Sequence, residues 1–125
     1  MYHINIKRAY EEPKKSDGKR ILVDRLWPRG LKKAEAQVNL WLKDIAPSTT
    51  LRKWFGHQPS KWEGFKKRYS AELERNTEQV SLLERELRAG KVTLVYGAKD
   101  QEHNGAIVLK EFLEQGTRNN SHTML

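Results

Sequence analysis

The chain opens on an alternation. Tyr2, Ile4 and Ile6 are separated by His3, Asn5 and Lys7, and a period of two predicts a half-buried strand. Ile21-Leu22-Val23 is a short apolar run after the turn signal Ser16-Asp17-Gly18 and predicts a second strand. Val92-Thr93-Leu94-Val95-Tyr96, β-branched and aromatic, follows Gly90 and predicts a third. Continuous apolar runs of this kind suit strands covered on both faces.

Between the second and third strands the period changes to that of a helix. Ala34, Val38, Trp41, Leu42 and Ile45 fall on one helical face, and Pro47 ends that predicted helix because the residue before a proline avoids the α region. Ser48 or Thr49 can cap a short helix through Phe55, with Gly56 as its stop. Ser60 and Glu63 have the spacing of a capping box. Trp62, Phe65, Tyr69 and Leu73 then form one apolar stripe. Another helix carries Val80, Leu83 and Leu87. A last helix, following Asp100, holds Ala106, Ile107, Leu109, Phe112 and Leu113 on a wide apolar arc.

The order strand, strand, helices, strand, helix predicts an α/β fold: a small, mostly parallel sheet flanked by helices in two or three layers. Residues 1–115 form the expected single domain. Residues 116–125 are polar and aperiodic, and disorder is expected there.

Composition narrows the chemistry. The 125 residues contain no cysteine, which excludes disulfides, thiolate metal sites and a cysteine nucleophile. The start lacks an apolar run of signal-peptide length and no apolar stretch is long enough to span a membrane, so a cytoplasmic location is expected. The formal net charge is +8, and it is uneven: residues 1–33 hold ten basic and four acidic side chains, and residues 51–70 six and one. A basic surface favours anionic partners, whether a small anion, nucleic acid or an acidic protein in an interaction module, although solubility alone is a sufficient reason for it.

Ligands of open parallel sheets bind beyond the carboxyl ends of the strands. Two loops should meet there, Asp24-Arg25-Leu26-Trp27-Pro28-Arg29-Gly30 and Gly97-Ala98-Lys99-Asp100, the latter leading to His103 and Asn104. Pro28 fixes a turn, Gly30 permits an unusual backbone angle, and Arg25 and Arg29 each present a fork suited to phosphate or carboxylate. The predicted site is therefore an anion pocket of Arg25, Arg29, Lys99 and Asn104, with His103 as the proton carrier of any catalysis. Asp24 and Asp100 are expected to orient or cap; the simplest role of Asp100 is a helix N-cap. His103 and Asn104 could equally serve only the backbone. Leu51-Arg52-Lys53-Trp54-Phe55-Gly56-His57 interleaves basic and aromatic residues, as single-stranded nucleic-acid sites do, but aromatics at a helix end are more often core. No nucleotide-binding or hydrolase motif is present, and His3, His57, His103 and His122 lack metal-ligand spacing, so no metal or cofactor is expected.

The blocks Asp24–Gly30, Trp41-Leu42-Lys43, Ala46-Pro47-Ser48, Leu51–His57, Val92–Tyr96, Lys99-Asp100 and His103-Asn104 followed by Ala106 resemble, in order, those of the YeaO-like family of bacterial proteins. The resemblance spans nearly residues 2–115. It implies a compact α/β domain and no particular activity, substrate or cofactor. More distant relatives carry cysteines near the last strand; this chain has none, so thiol chemistry does not transfer.

Overall fold

A computed structural model of the chain describes residue 2 and residues 4–123, with residues 117–123 described by their backbone alone. Four strands, β1 (Ile4–Arg8), β2 (Lys19–Leu22), β3 (Leu40–Trp41) and β4 (Val92–Tyr96), form one sheet in the order β1-β4-β2-β3. Every pairing is parallel. The last strand in sequence thus lies in the middle, with Ile6 and Ile21 both in register with Leu94. All five residues of β4 are buried, which is why its run is apolar without alternation.

Among the described residues five α-helices accompany the sheet: α1 (Lys33–Ala36), α2 (Thr49–Phe55), α3 (Trp62–Arg75), α4 (Thr77–Ala89) and α5 (Gly105–Thr123). The apolar stripes of α3, α4 and α5 meet Ile4, Ile21, Val23, Leu94 and Tyr96 in the main core. Leu22 and Val95 point the other way, into a smaller cluster with Trp27, Leu31, Val38 and Trp41. The helices α2–α5 therefore form one layer, and the loops around β3 cover the sheet's other face.

The region 34–45 departs from the expected single helix. Here α1 is one turn long and stops at Gln37, whose φ of 46° is left-handed. Asn39 then pairs with β2 twice: its N–H donates to the Arg20 carbonyl and its side-chain oxygen accepts from the Arg20 N–H. The chain continues as β3, and Lys43–Ile45 form a 3₁₀ turn. Edge-strand pairing outweighs a helical period here because β2 would otherwise have bare backbone groups. Farther on, Ser48 caps α2 by accepting from the Leu51 N–H, and Gly56 closes it in the left-handed conformation. The Ser60–Glu63 box does not form: Ser60 lies in a 3₁₀ turn, Pro59–Lys61, and Glu63 pairs with Lys66. The backbone of α5 extends into the segment expected to be disordered, while residues 124 and 125 lie outside the described residues.

Candidate functional site

The carboxyl ends of β2 and β4 lie side by side, and the chain is tied there. Val23 N–H donates to the Val95 carbonyl at 3.1 Å, one step beyond the strand. Asp24 follows, and its Oδ2 accepts from Gly97 N–H at 2.8 Å. A Cβ at Gly97 would stand 3.3 Å from that oxygen and 3.7 Å from Pro28, so glycine gives this junction its close approach. The loop after Asp24 is pinned by both indoles: Trp41 donates to the Asp24 carbonyl at 2.7 Å, Trp27 donates to the Leu31 carbonyl at 2.6 Å, and the rings meet edge to face. Tyr10 adds a bond from its hydroxyl to the Arg29 carbonyl, and Gly30 takes the positive φ expected of it.

Above this junction opens a cleft of about 380 Å³, a size that suits a small molecule. Val23, Pro28, Pro47, Phe55, Phe65 and Tyr96 supply apolar wall; Asp24, Arg25, Arg29, Arg52, His57, His103 and Asn104 supply polar groups. The two predicted loops do converge on one cleft.

The predicted residues have unequal roles. Arg25 is committed to architecture: its guanidinium donates to the carbonyls of Pro47 and Ala46 and lies 3.9 Å from Asp44. Those carbonyls belong to buried residues and need donors, so Arg25 is not an available anion clamp. Asn104, not Asp100, is the N-cap of α5; its Oδ1 accepts from the Ile107 N–H and its Nδ2 donates to the Asp100 carbonyl. Asp100 instead accepts from the N–H groups of Glu102 and His103 and from His103 Nδ1 at 2.9 Å. Hydrogen bonds from the Glu102 N–H and from His103 hold its carboxyl below the usual range. Lys99 is exposed and does not line the cleft. Arg29 and His103 do line it, with His103 edge-on to Trp62.

Two residues outside the predicted constellation, Arg52 and His57, complete the site. Arg52 projects from α2 between the buried Leu51 and the buried Phe55. Its Nε is buried and has no hydrogen-bond partner among the described residues. A charged residue adjoining the apolar arc of a short helix was the sequence signal for it. His57 follows the Gly56 stop with a left-handed φ of 56° and stacks obliquely beside Phe55. Burial pushes the Asp24 carboxyl above its ordinary range, against the Gly97 hydrogen bond and the positive influence of Arg52 and His57.

A family model described as the inactive DUF488-N3 subclade, DUF488-N3i, matches residues 3–124. The chain belongs to this family. The uncharacterized protein YeaO of Escherichia coli (strain K12) is 41% identical over 111 residues, which cover 89% of this chain and 96% of that protein. The uncharacterized protein Rv3073c of Mycobacterium tuberculosis (strain ATCC 25618 / H37Rv) is 38% identical over 112 residues, covering 88% and 92%. The YeaO-like resemblance is thus shown at the level of the whole chain. No solved structure matches.

In this DUF488-N3i chain the cleft combines a guanidinium whose buried Nε has no partner among the described residues, a desolvated carboxyl group and imidazoles on a partly apolar lining. Among the described residues no group of three or more His, Asp or Glu side chains could hold a metal ion; His3 lies outside them, and His122 is described by its backbone only. No described helix is long and apolar enough to cross a membrane.

Proposed function

We propose that the protein is a cytoplasmic binding protein for a small phosphate- or carboxylate-bearing ligand, held in the cleft at the strand carboxyl ends. The observation that carries this reading is Arg52: a guanidinium whose buried Nε lacks a hydrogen-bond partner among the described residues, on the wall of a cleft large enough for a ligand. An unpaired buried donor has a substantial desolvation cost, and an anion supplies the missing acceptor. Arg29, exposed at the cleft, adds a second fork, and His57 a third polar contact. The family's description as an inactive subclade favours retention of a ligand over its turnover. Should turnover occur, His103 is the proton carrier, because Asp100 engages Nδ1 and leaves Nε2 for the ligand.

The nucleic-acid reading is weaker. The exposed faces that would stack bases are covered by the chain's own cations: Arg68 lies 3.9 Å and Lys61 5.1 Å from the Trp54 ring centre, and Lys66 lies over Trp62.

The test is an amide NMR titration with inorganic phosphate, a mononucleotide and a short oligonucleotide. Saturable shifts at Arg52, His57, Arg29 and Gly97 are expected. Arg52→Gln should weaken the anion by about tenfold or more, the usual effect of losing a charge-assisted hydrogen bond. Diffuse, unsaturable shifts across residues 51–70 would reject the cleft as the site.

A further inference from the structure

Asp24 and Arg52 line the same cleft, yet no ion pair within 4.0 Å joins them, whereas Asp17–Arg20 and Lys7–Asp17 do close elsewhere in the molecule. The buried Nε of Arg52 has no hydrogen-bond partner among the described residues. Asp24 uses Oδ2 for Gly97 N–H, and no described donor takes Oδ1. An acid and a base are therefore held apart, each with unused hydrogen-bonding capacity, in a space whose walls include Phe55, Phe65 and Tyr96. Opposite charges that are desolvated but not joined are costly, and the cost is relieved by whatever lies between them.

A plain anion relieves only half of this. Bound at Arg52 it brings a second negative charge near the Asp24 carboxylate, and like charges in a cleft of low polarity repel. A ligand that also carries a cationic nitrogen satisfies both walls. We infer that the ligand is amphoteric, a small aromatic or apolar molecule that places an ammonium or amidine-like group on Asp24 and a carboxylate or phosphate on Arg52. The inference rests on the anion reading above and adds to it the ligand's second charge.

Calorimetry at neutral pH with matched pairs tests it. 3-Phenylpropionate and phenylalanine share an aromatic body and a carboxylate, and only the second has an ammonium group. Ethyl phosphate and phosphoethanolamine form the corresponding phosphate pair. In at least one pair the ammonium-bearing member should bind about tenfold tighter than its parent anion, the scale of one charge-assisted contact. Asp24→Asn, which keeps an acceptor for Gly97 N–H, should erase that preference while leaving the parent anion bound as well or better. Arg52→Gln should weaken both members. Parent anions that bind as tightly as their ammonium partners would overturn the amphoteric inference and leave the anion reading standing. A preference that survives in a folded Asp24→Asn variant would overturn the assignment to Asp24. No binding by any of the four compounds would overturn the anion reading as well.

Discussion

Two aspartates show what burial does to a carboxylate with and without company. Asp17 accepts from Lys14 N–H, from Lys7 and from Arg20. Burial by itself would push its carboxyl up; the backbone hydrogen bond and the two cations outweigh that and hold it below its ordinary value of 3.8. Its contribution to stability is present above that value and is lost as pH falls through the lower, folded-state one. Asp17→Asn leaves Lys7 and Arg20 facing an uncharged group in a buried place, and should cost about 3 kcal/mol in denaturant unfolding at pH 7. For Asp24 the sign reverses. Burial holds its folded-state carboxyl above 3.8, so the folded protein keeps a proton that the unfolded chain has released. Its contribution is complete below that pH and declines as pH rises through the folded-state value. Asp24→Asn removes the penalty: the stability of the variant relative to the parent should improve between pH 3.5 and pH 7, measured as the difference between their unfolding curves. At this scale the sequence was legible for residue type and not for partnership. Arg25 and Arg52 look alike in the chain. Only the folded path of Ala46-Pro47 past Arg25 occupies one guanidinium, while the Nε of the other has no partner among the described residues.

Elements were legible where their period ran unopposed. The stripe Trp62, Phe65, Tyr69, Leu73 became α3, and β4 spans the residues read as a strand. The period over 34–45 failed because its apolar residues serve different neighbours: Ile45 and Leu42 enter the main core, while Val38 and Trp41 cover the sheet's other face. A helical wheel cannot distinguish one face with five members from two faces with a bend between them. The same caution governs Gly64 inside α3. Helix propensity alone favours Gly64→Ala by about 1 kcal/mol. The new Cβ would stand 2.8 Å from Cη2 of Trp54, an indole held by Arg68 above it and by Lys61, which donates to the Trp54 carbonyl. Gly64→Ala should therefore lower the thermal midpoint in circular dichroism, whereas a change to alanine at the exposed Lys67 of the same helix should leave it nearly unchanged.

For the whole molecule, the alternation of strands and helices was enough to place a parallel sheet with its loops converging at one edge. What the alternation could not convey is strand order, because β3 is only two residues long and carries no strand signal of its own. The cleft's position follows from topology, and its lining depends on α2, a short helix whose sequence reads as core. Charge is arranged at the same scale. Of the cations in residues 51–70, Arg52 lines the cleft, Lys61 and Arg68 lie over Trp54, and Lys66 lies over Trp62.

The middle position of β4 has a consequence for the order of assembly. During synthesis β1 emerges before the strand it pairs with, residues 92–96, its one neighbour in the sheet among the described residues. For most of translation the nascent chain presents a strand edge with no mate and a short β2–β3 ladder with one side bare, the state in which proteases and other chains find purchase. Protection of the amino-terminal residues against pulse proteolysis on stalled ribosomes should rise in a single late step, once Tyr96 has cleared the exit tunnel, rather than accumulate with length. The strand that closes the sheet is the one that leads directly into Gly97, so the cleft and the fold come into being together.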